Sequence, residues 1–182
     1  ELPQVFEELL ADPSFQAVLT NVIPGIPIEM LAAQLHQCKT NLDVQKTFFY
    51  SLLHGIIDKH SDGFDMDTSS LDDKNRNYTF ISNHRDIVLD PGFLSVGLID
   101  NNFPTTVEIA IGDNLLIYPW IKKLVRVNKS FIVQRALSMR QMLESSTRMS
   151  RYIHFAVTEK KENVWIAQRE GCLLYTSPSP RD

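Results

Sequence analysis

Tyr78-Thr79-Phe80-Ile81-Ser82-Asn83-His84-Arg85-Asp86-Ile87-Val88-Leu89-Asp90-Pro91-Gly92 is the stretch from which the fold can be read. Tyr78 to Ile81 favours a β-strand, because aromatic and β-branched side chains suit a pleated surface. Ser82-Asn83 breaks that run into a polar turn carrying His84, Asp86 and Asp90. Asp90-Pro91 then predicts an N-cap followed by proline at the first helical position, where a missing N–H costs nothing. Strand, charged turn and helix in succession make one βα unit. Turns at strand ends expose backbone while strand and helix hold it rigid, so they are where α/β folds place chemistry. A histidine near a carboxylate is the minimal general-base pair: the carboxylate holds one imidazole tautomer and stabilises the cation it becomes. His84 is the candidate base.

Downstream of that unit, Thr105 to Ile111 reads as a buried strand and Gly112-Asp113-Asn114 as a second turn. Short helical segments surround Pro119, Val125 to Val127 is a candidate short strand, Gln134 to Arg151 is helical, and Asn163 to Ala167 is a further strand. Strands alternating with helices predict an α/β fold with a mainly parallel sheet and helices on both faces. Upstream, Glu1 to Leu35 carries apolar residues at helical spacing, broken at Asp12-Pro13 and Pro24-Gly25-Ile26-Pro27. A longer helix from about Thr40 to Asp58, capped by Thr40 with Asp43 in its first turn, should turn Val44, Phe48, Leu52 and Ile56 toward a core. His36, His54 and His60 lie in this region without partners that would recruit them as ligands. From His60 to Asn77 the composition is that of a loop, so the expected organisation is a helical lead-in over 1–75 and a catalytic domain over 76–171.

The 182 residues, 43% hydrophobic and 22% charged, are enough for one sizeable core. A net charge of −4 argues against general nucleic-acid binding. Yet from Asn114 to Leu143 the chain carries Lys122, Lys123, Arg126, Lys129, Arg135 and Arg140 and no Asp or Glu, a basic segment suited to an anion or an anionic surface. Cys38 and Cys172 form no CxxC pair and point to a reducing compartment. No apolar run approaches membrane-spanning length. The sequence begins at Glu1, so a targeting segment could precede it. From Cys172 to Asp182 the amphipathic pattern stops, and Cys-Leu-Leu-Tyr-Thr-Ser-Pro-Ser-Pro-Arg-Asp looks like the in-frame translation of a sequencing-library adapter; it is set aside from the fold.

Three blocks gain meaning from their order: Ser82-Asn83-His84 through Asp90, Gly112-Asp113-Asn114 through Phe131-Ile132-Val133-Gln134-Arg135, and Trp165-Ile166-Ala167-Gln168-Arg169-Glu170-Gly171. Over about Asn77 to Gly171 they resemble the glycerolipid acyltransferases, which include the glycerol-3-phosphate and lysophosphatidate acyltransferases. That family carries an Asn-His motif with a downstream Asp, then a Phe-Ile-x-Arg block, then Glu-Gly after a strand. The resemblance implies that a fatty acyl group passes from acyl-CoA or acyl-carrier protein to glycerol 3-phosphate or its monoacyl form, in phospholipid synthesis. It implies His84 as the base, oriented by Asp90, and Arg135 on the acceptor phosphate, with Lys129 as an auxiliary cation. Glu170 and Gly171 match positions implicated in acceptor binding. Neither a metal nor another cofactor is expected. Partners beyond donor and acceptor are a membrane, met peripherally at its cytoplasmic face, and no nucleic acid.

The family pattern places four residues between His and Asp, whereas five separate His84 from Asp90. The turn must bulge by one residue if that pair acts, and Asp86 is the other available partner. After Glu-Gly the family carries another Arg and later a Pro-containing block, where this chain has Cys172-Leu173. Two other readings of the same residues remain open. His84, Asp86, Asp90 and Asp113 could be ligands of a metal-dependent phosphohydrolase. Lys122 to Arg140 could instead make a non-catalytic module for anionic lipid or a membrane surface. A serine hydrolase is disfavoured because no Gly-x-Ser-x-Gly elbow occurs.

Overall fold

Four parallel strands, β1 (Thr79–Asn83), β2 (Val107–Gly112), β3 (Ser130–Val133) and β4 (Asn163–Gln168), form one sheet in the order β1-β4-β2-β3. The structure, a computed structural model, describes residues 2–22, 25–135 and 137–168. Between the strands run α6 (Leu89–Asp100), α7 (Pro119–Val127) and α8 (Met139–Thr158); before them lie α1 (Leu2–Leu10), α2 (Pro13–Val22), α3 (Ile28–Gln37), α4 (Asn41–Val44) and α5 (Tyr50–His60). Because all four strands are parallel, Asn83, Gly112, Val133 and Gln168 end them on one side of the sheet. The turns that leave the strands are therefore gathered there.

Alternation along β2 shows how the two faces are covered. Val107 and Ile109 pack with Leu98 of α6, Phe103 and Trp165 of β4. Glu108, pointing the other way, accepts from the Tyr152 hydroxyl of α8 at 2.6 Å and pairs with Lys160. Helices α6 and α8 thus cover opposite faces, as a doubly covered parallel sheet requires. A second core joins Phe6, Leu9, Phe15, Leu31, Leu35 and Phe48 of the N-terminal helices to Val127 of α7. Gln45 fastens this layer to the sheet, donating to the Val107 and Asn128 carbonyls and accepting from Thr106.

The helix expected from Thr40 does start there, with the Thr40–Asp43 capping box in place. Its second half is turned, however: Gln45–Phe49 is π-helical between α4 and α5. One residue is added to that turn, so the buried stripe continues from Val44 and Phe48 to Leu53 and Ile57 rather than to Leu52 and Ile56. Val125 to Val127 is the last turn of α7, not a strand; Pro119 opens that helix at its first position, and β3 forms three residues later. The helix expected from Gln134 begins at Met139, where Ser138 and Gln141 make a capping box. His36 pairs with Glu7 at 3.0 Å and His54 lies 3.4 Å from Asp100, which leaves both in structural roles. Cys38 is a buried free thiol, and Cys172 with the rest of the terminal stretch lies outside the described residues.

Candidate functional site

His84 follows β1 directly, and β1 ends at Asn83. Its ring meets Trp165 edge-on, with centroids 6.1 Å apart, and Trp165 is itself fixed by donating its indole N–H to Ser82 Oγ at 3.0 Å. This is the geometry of alternation: Phe80, Ser82 and His84 share a face, and Phe80 is in register with Trp165. Trp165 is almost wholly buried, so it gives the imidazole a rigid wall.

On its other side, His84 Nδ1 lies 3.4 Å from Asp90 Oδ2, with the side chains 30% and 23% exposed. That oxygen also accepts from the backbone N–H groups of Arg85 at 2.7 Å and Asp86 at 3.0 Å. The carboxylate is held by the turn before it meets the ring. Asp90 was expected as an N-cap; instead the helix opens at Leu89 and Asp90 sits inside its first turn, folded back on the chain. The capping is done by Asp86, whose Oδ1 accepts from Val88 N and Leu89 N, both at 2.8 Å. Those two donors hold the Asp86 carboxyl below its ordinary range, Leu89 foremost. Of the two available carboxylates, Asp90 reaches His84 Nδ1 and Asp86 is occupied in starting α6. The fifth intervening residue is accommodated in this turn, where Ile87 and Val88 are exposed.

Arg135 emerges just after β3, its backbone N–H donating to Asp113 Oδ1 at 3.2 Å. Its side chain crosses the end of β2. A Cβ built on Gly112 would stand 2.5 Å from Arg135 Nε and would also clash with Asn114 Oδ1. Gly112 has φ −71°, so the glycine is required by this close approach rather than by backbone conformation. Two residues, Val133 and Gln134, separate Ile132 from Arg135, one more than a Phe-Ile-x-Arg pattern has. β1 and β3 are the two outer strands of the sheet, three strand spacings or roughly 14 Å apart. By lying over β2, the arginine recovers one of those spacings toward His84.

Lys129 is not with them. It precedes β3 at the opposite end of the strands, in a left-handed conformation with φ 54°, and its side chain is 4% exposed. Its ammonium binds Glu162 at 2.6 Å and the hydroxyls of Thr105 and Thr106. Burial pushes its pKa down while Glu162 pulls it back up. It lines a separate polar cavity of about 290 Å³ with Glu108, Arg126 and Glu162. The auxiliary phosphate role is thereby corrected: Lys129 is spent in a buried ion pair far from the strand ends that carry His84 and Arg135. Glu170 and Gly171 lie outside the described residues. Asp113, joined to Arg135, and Asp86, capping α6, do not converge with His84 and Asp90 as ligands. Among the described residues no three His, Cys, Asp or Glu side chains gather for a metal.

A cavity of about 470 Å³ opens beside this turn. Ile87, Val88 and Pro91 of the His84–Asp90 turn line one part of it; Phe15, Leu52 and Ile56 of the N-terminal helices line another. The π-helical turn matters here, since it leaves Leu52 and Ile56 half-buried against the cavity while Leu53, which touches the cavity as well, and Ile57 are buried in the core. Such a volume with an apolar lining is that of a small-molecule pocket. Gly112, Ser82 and Trp165, which position Arg135 and His84, escaped the sequence reading as site residues. Their only signal was their place inside the three blocks.

The family model described as Acyltransferase matches residues 65–171, more than half of the chain. Comparison with curated proteins and with solved structures gave no match. The matched range holds all three blocks, and the chain belongs to this acyltransferase family, that of the glycerol-3-phosphate and lysophosphatidate acyltransferases.

Proposed function

We propose that the chain transfers a fatty acyl group from a thioester, acyl-CoA or acyl-carrier protein, to the hydroxyl of glycerol 3-phosphate or its monoacyl form. The observation that carries this reading is the His84–Asp90 pair, fixed by Arg85 and Asp86 N–H groups, in a turn that also lines a large apolar cavity. With Nδ1 toward Asp90, the Nε2 lone pair is left for the acceptor hydroxyl. As the hydroxyl oxygen attacks the thioester carbonyl, its proton passes to Nε2. Collapse of the tetrahedral intermediate breaks the carbon–sulfur bond and expels the thiolate, which takes the proton from Nε2 and leaves as the thiol. Asp90 stabilises the imidazolium between the two steps. Arg135 serves the acceptor phosphate, because a guanidinium fork matches phosphate oxygens in two parallel hydrogen bonds. Glu170 and Gly171 join the acceptor side on the strength of the family pattern. No step requires a metal or a covalent acyl-enzyme.

A peripheral membrane contact fits the same end of the sheet. No helix among the described residues is long and apolar enough to cross a membrane. Ile87, Val88, Ile117, Tyr118, Met139, Met142 and Leu143 are exposed, all in turns or in the first two helical turns after strand ends. Arg85, Arg135 and Arg140 lie among them, the mixture that suits a lipid surface carrying anionic headgroups. A purely lipid-binding module is the second reading, favoured by that rim alone.

Acyl transfer by the chain, offered each acceptor with each donor, tests both. His84→Ala should cut transfer about 10²- to 10⁴-fold while liposome binding persists. Transfer that survives the substitution would sink the general-base role. A folded protein that binds liposomes and transfers nothing would favour the module.

A further inference from the structure

Toward the opposite end of the strands from His84 and Arg135, the polar cavity of about 290 Å³ gathers the charges of Glu108, Arg126, Lys129, Lys160 and Glu162. Lys129 and Glu162 form one ion pair, and Lys160 and Glu108 form a second. Both carboxylates are engaged further: Glu162 accepts from the Thr105 hydroxyl, and Glu108 Oε2 accepts from Tyr152 at 2.6 Å. Arg126, exposed in the last turn of α7, has no carboxylate partner among the described residues. Three cations against two carboxylates leave one positive charge in excess. The pairs lie close enough for Glu108 and Lys160 both to act on the Lys129 ammonium, so the charges share one site. Holding them there is costly. Lys129 is a non-glycine residue at φ 54°, and its side chain and that of Glu108 are 4% and 2% exposed. Left-handed backbone and desolvated ion pairs weaken a fold, and such features cluster at functional sites.

We propose that this cavity is a second ligand site, which binds the phosphate group of a small soluble phosphate ester through Arg126, with Lys160 beside it. A guanidinium fork matches phosphate oxygens in two parallel hydrogen bonds. Lys160 has donors to spare, because an ammonium carries three N–H groups and its side chain is 45% exposed on the same cavity. The Thr40 hydroxyl, which accepts from Asp43 N, still has its own proton to donate there. The phosphate charge is met by the excess cation, while the two carboxylates are already neutralised by their lysines. Leu42 is the one wholly hydrocarbon side chain in the lining, so the cavity offers no seat for an acyl chain. Its volume, at the low end for small-molecule pockets, limits the ester to a few carbons. The exposed apolar rim lies at the other end of the strands, so the ligand arrives from solution and not from a membrane headgroup. The site does not depend on the chemistry at His84.

Inorganic phosphate is the probe, and the Arg135→Ala variant of the whole chain removes the other place where it could bind, the proposed acceptor site. In that background, equilibrium dialysis at an ionic strength held by sodium chloride should find a single saturable phosphate. At about ten times its dissociation constant, phosphate should raise the melting temperature by about 3–6 °C and then level off. Adding Arg126→Gln should weaken binding about tenfold or more, the worth of a hydrogen bond to a charged group. Arg126 is exposed, so this variant keeps the fold, which circular dichroism checks. Lys122→Gln removes an exposed charge of the same helix outside the cavity lining and should leave binding as it was. Phosphate held as tightly after Arg126→Gln, an equal loss in Lys122→Gln, or acetate bound as tightly as phosphate would overturn the proposal. So would uptake that never saturates, the mark of an adventitious ion only. Vesicles of phosphatidic acid that displace the bound phosphate would give the site to a lipid headgroup and overturn the soluble ligand.

Discussion

Substituting Gly112→Ala isolates the placement of Arg135 from the stability of the fold. At φ −71° and ψ 140° an alanine fits the backbone without strain, and such a replacement trims the freedom of the unfolded chain by about 0.4–1 kcal/mol. The melting temperature should hold or rise slightly. The added methyl would stand 2.5 Å from Arg135 Nε and 3.2 Å from its Cδ, so the side chain must leave the end of β2. Both Arg135 and Asn114 are exposed and can swing away, which keeps the cost to folding small. The cost to function is larger. A hydrogen bond to a charged group contributes about 1.5–3 kcal/mol, so on the proposed reading, with Arg135 on the acceptor phosphate, its displacement should raise KM for the glycerol phosphate acceptor, whether glycerol 3-phosphate or its monoacyl form, roughly tenfold to a hundredfold. His84 and Asp90 are untouched, so kcat should change little. Steady-state kinetics of Gly112→Ala, Arg135→Ala and the double variant give the decisive comparison. If the glycine acts only as the floor for the arginine, the double variant is no worse than Arg135→Ala. An unchanged KM in Gly112→Ala, or losses that add in full, would refute the argument.

Asp90→Asn and Asp86→Ala should separate the two carboxylates of the turn: the first lowers kcat at least tenfold with little change in melting temperature, because Asp90 faces His84 Nδ1. The second removes the acceptor for Val88 N and Leu89 N, costs about 1 kcal/mol of stability, and leaves kcat within a few-fold. Leu53→Ala should destabilise by about 2–5 kcal/mol, whereas Leu52→Ala, on the cavity wall, costs much less and loosens selection for the acyl chain; equal costs in urea melts would deny the shift made by the π-helical turn. Burial, followed by the hydrogen bond to Glu108, pushes the Tyr152 hydroxyl from its ordinary 10 up to about 12. The folded state keeps that proton longer than the unfolded chain, so its contribution is whole below pH 10 and is lost as the pH rises toward 12. Discounted for partial exposure, the loss is on the order of 1 kcal/mol. Tyr152→Phe should flatten the stability curve in that window; an equally steep fall would remove Tyr152 as its cause.

The βα rhythm, the parallel sheet and the candidate base were legible in the order of the residues, because these rest on local chemistry. Aromatic and β-branched runs at Tyr78–Ile81 and Thr105–Ile111, the Thr40–Asp43 capping box, and a histidine in the first strand-end turn act over a few residues and can be read one after another. Element ends were less legible. The π-helical turn at Gln45–Phe49 rotates the second half of its helix through packing against the sheet, by Gln45 bonding Val107 and Asn128, residues more than sixty positions away. Which cations and carboxylates meet was settled by packing alone. Lys129 and Arg135 are six residues apart in one basic segment, yet a four-residue parallel strand carries the chain from one end of the sheet to the other between them. Lys129 is left to a buried pair with Glu162, while Arg135 lies over Gly112. Asp86 and Asp90 divided their roles by the direction of the helix start, and the cavity arose between elements far apart in the chain. Burial and convergence are properties of the packed whole, so composition and spacing hold no record of them.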